Sequence, residues 1–435
     1  MYDGQATPAM PGSRWTVAAL SGLALWTWLI GFFFFGPLLG GVYGAGADAV
    51  GYAFATGHAA GLAFFGADAR RCRLPPAMLY ALVPLTLLGL VGPPIALAAP
   101  VAACAGFLGA AAVLRWVRAV QRSMSPGLAL ALAAGGANVL FWLFGLPMAG
   151  PTLMRWVGGC LVLVAIALAA ATLPRDGESG PPRAASSHGH RWLPPPYLLG
   201  FALAVYVAGG VLYGVLIKIS PAHSPAEWIG TWPYIIVFIL AAAGTQTANL
   251  GRLQALTLGV LSVGAVLLAA YDLLSWDFTL AWTAVMGGLG LADAFYWRRA
   301  IELLGKRGTM PAGVALAWNV VVVAGTDLLS QRIPFPPLEQ LPAAGLLIAL
   351  ALFLLGPLLA DAAVRSRRDD PPPALTRSEV QVLNLLLSGQ TDLEIAEVLY
   401  ISRNTVKFHV RNVLHKMGYP NRRELRRSYV APPTE

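Results

Sequence analysis

The chain has 435 residues, of which 57% are apolar and only 12% charged, with a mean hydropathy of +0.64. A soluble domain carries roughly 25% charged residues, so the composition excludes a soluble enzyme and a disordered chain and points to a polytopic membrane protein. The net charge of +9, from 30 Lys+Arg against 21 Asp+Glu, fits nucleic acid, anionic lipid or cytoplasmic loops, and its placement along the chain decides between them.

A membrane-spanning helix needs about 20 mostly apolar residues. Twelve stretches meet that requirement: 15–40, 46–66, 76–92, 95–114, 127–147, 153–173, 197–217, 231–250, 255–275, 278–297, 311–330 and 342–364. The first is too long for a signal-peptide core and is read as a retained helix. Gly92-Pro93-Pro94 marks the turn between the third and fourth.

With the N-terminus inside, the inner segments hold eighteen basic residues and the outer ones three (Arg155, Lys218 and Arg332), leaving nine beyond residue 374. That bias predicts twelve spans in a bacterial inner (cytoplasmic) membrane, with both termini cytoplasmic. Nine of the 13 Trp fall near predicted span ends, where an interfacial belt would put them.

A polar stretch, 174–196, divides the spans into halves at 1–173 and 197–364. A faint repeat relates them. Arg115-Trp116-Val117-Arg118-Ala119-Val120 matches Tyr296-Trp297-Arg298-Arg299-Ala300-Ile301, and a Pro-containing turn then leads into Gly127-Leu128-Ala129 or Gly313-Val314-Ala315. Two six-helix halves joined by such a linker resemble the major facilitator superfamily of transporters. In the loop where that superfamily has a Gly-x-x-x-Asp-Arg-x-Gly-Arg-type motif, Gly66-Ala67-Asp68-Ala69-Arg70-Arg71-Cys72-Arg73 keeps the Asp and the Arg cluster but lacks the second Gly.

Ionisable groups inside spans are functional candidates by default. Asp48, Asp272 and Asp327 fall near outer ends, within reach of water. Asp293 lies near an inner end, where pairing with Arg298 is expected. His58 is the deepest titratable group, and a hydrogen-bonded packing role is favoured over ligand binding. Asn138 and Asn319 occupy comparable places in spans five and eleven and either line a central cavity or bond across helices; Asn249 is a further polar companion. His58, Asn138 and Asn319 are therefore the candidate ligand-binding residues. Cys72, Cys104 and Cys160 share no metal-ligand spacing, and His188 and His190 offer only two ligands. No metal, cofactor or catalytic constellation is expected.

Beyond Val364 the composition changes. Residues 365–374 read as a short, stiff connector of about 35 Å at most, which would hold the following domain, 375–435, beside the membrane. That domain carries capping signals at Thr376…Glu379, Thr391…Glu394, Asn421…Glu424 and Ser402, with Gly389 and Gly418 as helix stops. Its second helix, Asp392–Leu399, turns Ile395, Ala396 and Leu399 inward, and Tyr400-Ile401 makes a tight turn. The third buries Val406, Val410, Val413, Leu414 and Met417. The opposite face carries Arg403, Asn404, Lys407, Phe408, Arg411 and His415. This is the layout of a helix-turn-helix whose second helix enters the major groove. A basic helix face alone is usually a solvated surface; here it belongs to a four-helix pattern of net charge +3.

Leu375-Thr376, Glu379, Val382-Leu383, Gly389, Glu394-Ile395-Ala396, Ser402, Thr405-Val406-Lys407, His409, Lys416 and Asn421-Arg422 resemble the LuxR/GerE-type DNA-binding domain, with Ser378 departing from a commoner Arg. The resemblance implies that Lys407, Phe408 and Arg411 contact bases and that Thr405, Asn404 and Arg403 sit near the backbone. It also implies that the fourth helix dimerises on promoter DNA.

The whole chain then resembles a membrane-bound LuxR-type regulator. An all-α, transporter-like twelve-helix bundle would sense an unknown small molecule, and the helix-turn-helix would read DNA. The alternative is a major-facilitator-like transporter with a regulatory or vestigial DNA-binding domain. An inert anchor ranks last, because one helix already gives stable insertion.

Overall fold

The computed structural model describes residues 11–32, 37–67, 76–123, 125–144, 151–173, 193–219, 230–244, 250–274, 278–332, 340–368, 375–417 and 421–428, and these are α-helical with short turns. In the first half the helices are α1 (Pro11–Gly31), α2 (Pro37–Tyr43), α3 (Ala47–Ala67), α4 (Pro76–Tyr80), α5 (Leu82–Val91), α6 (Ile95–Gln121), α7 (Pro126–Leu130), α8 (Gly136–Phe144) and α9 (Pro151–Thr172). The second half holds α10 (Pro196–Ile219), α11 (Trp232–Gly244), α12 (Leu250–Leu274), α13 (Phe278–Arg307), α14 (Thr309–Arg332) and α15 (Leu341–Arg368). The C-terminal domain holds α16 (Arg377–Leu387), α17 (Asp392–Leu399), α18 (Arg403–Met417) and α19 (Arg422–Ser428).

Among the described residues six helices are long and apolar enough to cross a membrane: those spanning Ile95–Gln121, Pro196–Ile217, Leu250–Ala270, Phe278–Gly305, Thr309–Arg332 and Pro342–Leu359. They mark a multi-pass membrane protein. Shorter apolar helices cover Thr16–Gly31, Met78–Val91, Pro126–Leu140, Trp156–Thr172 and Trp232–Gly244. Phe353, in α15, is 72% exposed, and with the exposed Leu347, Leu350, Leu354 and Leu358 it makes a contiguous apolar face of the kind that lipid covers.

The helices depart from the predicted runs where the backbone chemistry demands it. The first run does not continue to residue 40 as one helix: α1 ends at Gly31 and α2 opens at Pro37, which cannot donate to a preceding turn. The third run breaks at Ala81, where Pro84 would have to bond the carbonyl of Tyr80. Within the fifth run Ala131–Gly135 winds as a π-helix, a widening that this stretch of small side chains tolerates. Of the eighth run, α11 is described to Gly244, and Asn249 lies outside the described residues. The expected connector begins later than 365, because α15 carries its Arg365–Arg368 end as helix. The loop of Asp68, Arg70, Arg71, Cys72 and Arg73, the linker histidines 188 and 190, and Gly418 also lie outside the described residues.

Residues on either side of the 174–196 stretch meet through close contacts. Gly127 of α7 faces α11 so closely that a Cβ there would lie 2.2 Å from the Ala242 carbonyl oxygen. Gly313 of α14, its counterpart in the repeat, faces α3, where a Cβ would lie 2.6 Å from the Leu62 carbonyl oxygen. Only glycine permits either approach. The repeat-related Trp116 and Trp297 converge on Trp26 of α1, with ring centroids 5.9 and 4.8 Å away. Trp28 and Trp116 are fully buried and pack the interior.

The C-terminal domain has its own core of Val382, Leu383, Leu386, Ile395, Val406, Val410, Val413 and Leu425. Each such side chain contributes roughly 1.5–3 kcal/mol on full burial.

Candidate nucleic-acid interface and an intramembrane polar cluster

Local chemistry sets the helix-turn-helix. Thr376 and Glu379 form a reciprocal capping box at the start of α16, and Thr391 and Glu394 form another at the start of α17. Helix α16 ends at Gly389, whose φ of +97° lets the Gln390 amide donate back to the Leu385 carbonyl at 3.1 Å. Helix α17 ends the same way on Tyr400, φ +54°, and the Ile401 amide donates to the Ala396 carbonyl at 3.1 Å. The left-handed conformation of a bulky residue costs about 1–2 kcal/mol, yet Tyr400 is 95% exposed and repays nothing by burial. The tight turn then delivers Ser402, whose Oγ accepts the Thr405 amide at 3.1 Å and caps α18.

On α18 the inward residues are Val406, Val410 and Val413, buried, with Leu414 and Met417 partly so. Arg403, Asn404, Lys407, Phe408 and Arg411 are exposed. Phe408 remains outside the core at 52% exposure, and the Arg411 guanidinium lies 5.7 Å from its ring centroid. Phe408 therefore also serves as a platform that orders Arg411, a cation–π contact invisible in the sequence pattern. Lys407 and Arg411 are one turn apart, about 6 Å along the axis. Thr405 is only partly exposed, and its hydroxyl is 2.8 Å from the Ser402 hydroxyl, so it belongs to the cap as well as to the candidate phosphate-facing edge. His415 lies on α18, but its side chain falls outside the described set.

The fourth helix is tied on by its arginines. Arg422 donates to Asp392 at 2.7 Å, and Arg426 Nε donates to the Leu386 carbonyl at 2.7 Å, satisfying the C-terminal end of α16. The Asn421 side-chain oxygen accepts the Glu424 amide at 2.9 Å. Glu394, which accepts the Thr391 amide at 2.6 Å and its hydroxyl at 2.9 Å, is held below the usual carboxylate pKa, first by the backbone bond and then by the hydroxyl.

The membrane candidates separate. His58 is buried; its Nδ1 is 3.0 Å from the Gly106 carbonyl, which assigns that nitrogen the proton, and the ring stacks on Phe54. This is a packing geometry. Asn138 donates to the Ala134 carbonyl at 2.8 Å, one turn back across the π-helix. Asn319 keeps a buried side-chain nitrogen without a partner among the described residues. Asp327 accepts a hydrogen bond from Tyr52 of α3 at 2.7 Å, linking the halves. Asp48 is exposed, and the side chain of Asp272 lies outside the described set.

Asp293 corrects its expectation. Its partners are the hydroxyls of Tyr206 and Tyr234, not Arg298. The helix repeat places Arg298 more than a turn away, whereas the tyrosines reach in from α10 and α11. Tyr206 and Tyr234 sit in apolar runs, where no local signal pairs them with a residue so distant in sequence. Among the described residues no three His, Cys, Asp or Glu gather as a metal site.

Residues 373–428 match the family of bacterial regulatory proteins, luxR family. Over 53 residues the chain is 47% identical to the probable transcriptional regulatory protein SgaR of Hyphomicrobium methylovorum, covering 12% of this chain and 25% of that protein. It is 44% identical over 54 residues to the nitrate/nitrite response regulator protein NarP of Escherichia coli, covering 12% and 25%. It is 42% identical over 50 residues to the spore germination protein GerE of Bacillus subtilis, covering 12% of this chain and 68% of that one. The match spans about a quarter of the length of SgaR and NarP.

Proposed function

The chain belongs to the luxR family of bacterial regulatory proteins, and from that premise we propose that it is a membrane-embedded transcriptional regulator. Its bundle senses a small molecule, and its helix-turn-helix binds promoter DNA as a dimer at the cytoplasmic face. The observation that carries the reading is the exposed Lys407–Phe408–Arg411 face, in a chain whose described residues include six membrane-length helices. Lys407 and Arg411 reach guanine edges or phosphates, Phe408 meets a thymine methyl, and Arg403, Asn404 and Thr405 lie along the backbone.

The bundle is read as twelve spans in two halves of six, in the inner membrane, with both termini cytoplasmic. The excess of basic residues in the inner segments supports this topology. A transporter-like fold is supported by the matched approaches of Gly127 and Gly313 across the halves. A ligand that favours one arrangement of the halves would move α15 and alter how two DNA-binding domains pair. That requires different affinities for the two arrangements.

The test is selection of genomic fragments by the full-length protein in lipid nanodiscs, with and without a panel of small molecules, beside Arg411→Ala. Discrete fragments lost in the variant, with recovery that one compound changes, are the expected result. Substrate movement through the bundle, with no fragment selected, would favour the transporter instead.

A further inference from the structure

Asp293 stands halfway along the 30-residue α13 and is partly buried. Both carboxylate oxygens are engaged, one by the Tyr206 hydroxyl and the other by the Tyr234 hydroxyl at 2.6 Å. These partners are neutral, and Asp293 has no cationic partner among the described residues. A carboxylate offers about four lone-pair directions, so two remain open. An unneutralised charge inside a membrane is costly and marks a functional site by default.

One turn further along the same face of α13, Trp297 packs 4.8 Å from Trp26 of the first half, and Trp116 closes the group at 6.2 Å from Trp297. Asp293 and Trp297 thus share one face of α13, and Trp297 leads to an aromatic cluster shared with the first half, in which the Trp26 indole N–H is buried without a partner among the described residues. A divalent metal would need several further oxygen ligands, which the described residues do not gather. A carboxylate beside aromatic faces is the chemistry that recognises an organic ammonium ion: the ion pair neutralises Asp293 and the rings attract the cation.

We propose that Asp293 anchors a binding site for an organic ammonium ligand, positioned by Tyr206 and Tyr234, with the ligand's body lying on Trp26 and Trp297. The assignment names the ligand class of the small-molecule sensor and rests on that reading of the bundle. Binding between the halves gives the ligand a differential grip on their two arrangements, as a shift in population requires.

The experiment is carbodiimide labelling of Asp293 in the full-length protein in nanodiscs at fixed pH, read by mass spectrometry. Phenethylamine and tetramethylammonium are the probes, and 2-phenylethanol is the neutral counterpart. Saturable protection by an ammonium probe, about tenfold or more stronger than by the alcohol, is expected of a desolvated cation contact. Asp293→Asn should abolish saturable binding of the amine, followed by tryptophan fluorescence, while Tyr234→Phe weakens it; a monodisperse Asp293→Asn protein with the melting temperature of the unaltered chain is folded. Equal protection by the alcohol, protection by neither probe, or undiminished binding to Asp293→Asn overturns the proposal. Protection without any change in DNA selection leaves this site standing and overturns the sensor reading. DNA selection that responds only to compounds that do not protect Asp293 does the reverse.

Discussion

Trp116 and Trp297 lie ring to ring at 6.2 Å, one from each half of the bundle, at matching places in the internal repeat. The glycines that follow them, Gly127 and Gly313, each abut a carbonyl of the opposite half. A side chain at either position forces backbone apart from backbone, and overpacking of this kind costs about 1–3 kcal/mol. Gly127→Ala and Gly313→Ala should each lower the melting temperature of the detergent-purified protein. Gly325→Ala, which meets nothing within 4 Å, should not. Equal tolerance at all three would contradict the close packing of the halves.

The capping box at Thr391 makes a pH prediction. Glu394 is held below its ordinary pKa in the folded domain, so its contribution is fully present above the unfolded value, about 4.3. It is lost as pH falls through the lower, folded value. Urea unfolding of the separate domain 373–435, which has its own core, should show stability falling with acid in that window. Glu394→Gln should flatten the fall, and Thr391→Ala should cost about 1 kcal/mol at neutral pH.

Tyr400 holds a left-handed turn that glycine would hold without strain. The strain of about 1–2 kcal/mol exceeds the backbone entropy that glycine adds, about 0.5–1 kcal/mol. Tyr400→Gly should therefore stabilise the domain by about 0.5–1 kcal/mol in denaturant titrations. A loss of stability would show that the exposed ring makes a contact that the turn geometry does not reveal.

The DNA contacts divide by type. Arg411→Ala and Lys407→Ala should each cost about 1–3 kcal/mol in specific binding and relax sequence preference. Arg403→Ala should weaken all sequences alike and reduce the salt slope by about 1. Phe408→Ala should lower specificity partly through Arg411, whose guanidinium loses its support. Fluorescence anisotropy across a salt series separates these behaviours.

What was legible in the sequence was what is local. The boundaries of α17, the caps at Thr376, Thr391 and Ser402, and the exposed Phe408 all depend on residues within a turn or two of one another, and the structure has them as the spacing implied. Apolar runs likewise announced the long helices. What was not legible depends on packing across the chain: the partners of Asp293 come from α10 and α11. Hydropathy was blind to the break at Pro37, because the run stays apolar through it, and to the helical end of α15, whose Arg365–Arg368 read as linker by composition alone. Charge marks a membrane boundary, but a helix can run on past it.

The central claim, that one polypeptide embedded in a membrane reads DNA through α18, is tested most directly by mapping DNA occupied in cells by tagged full-length protein beside Arg411→Ala. Both proteins must be recovered from the membrane fraction in equal amount. Discrete occupied sites that vanish in the variant are predicted. Occupancy that is absent, or unchanged by the variant, would contradict the account.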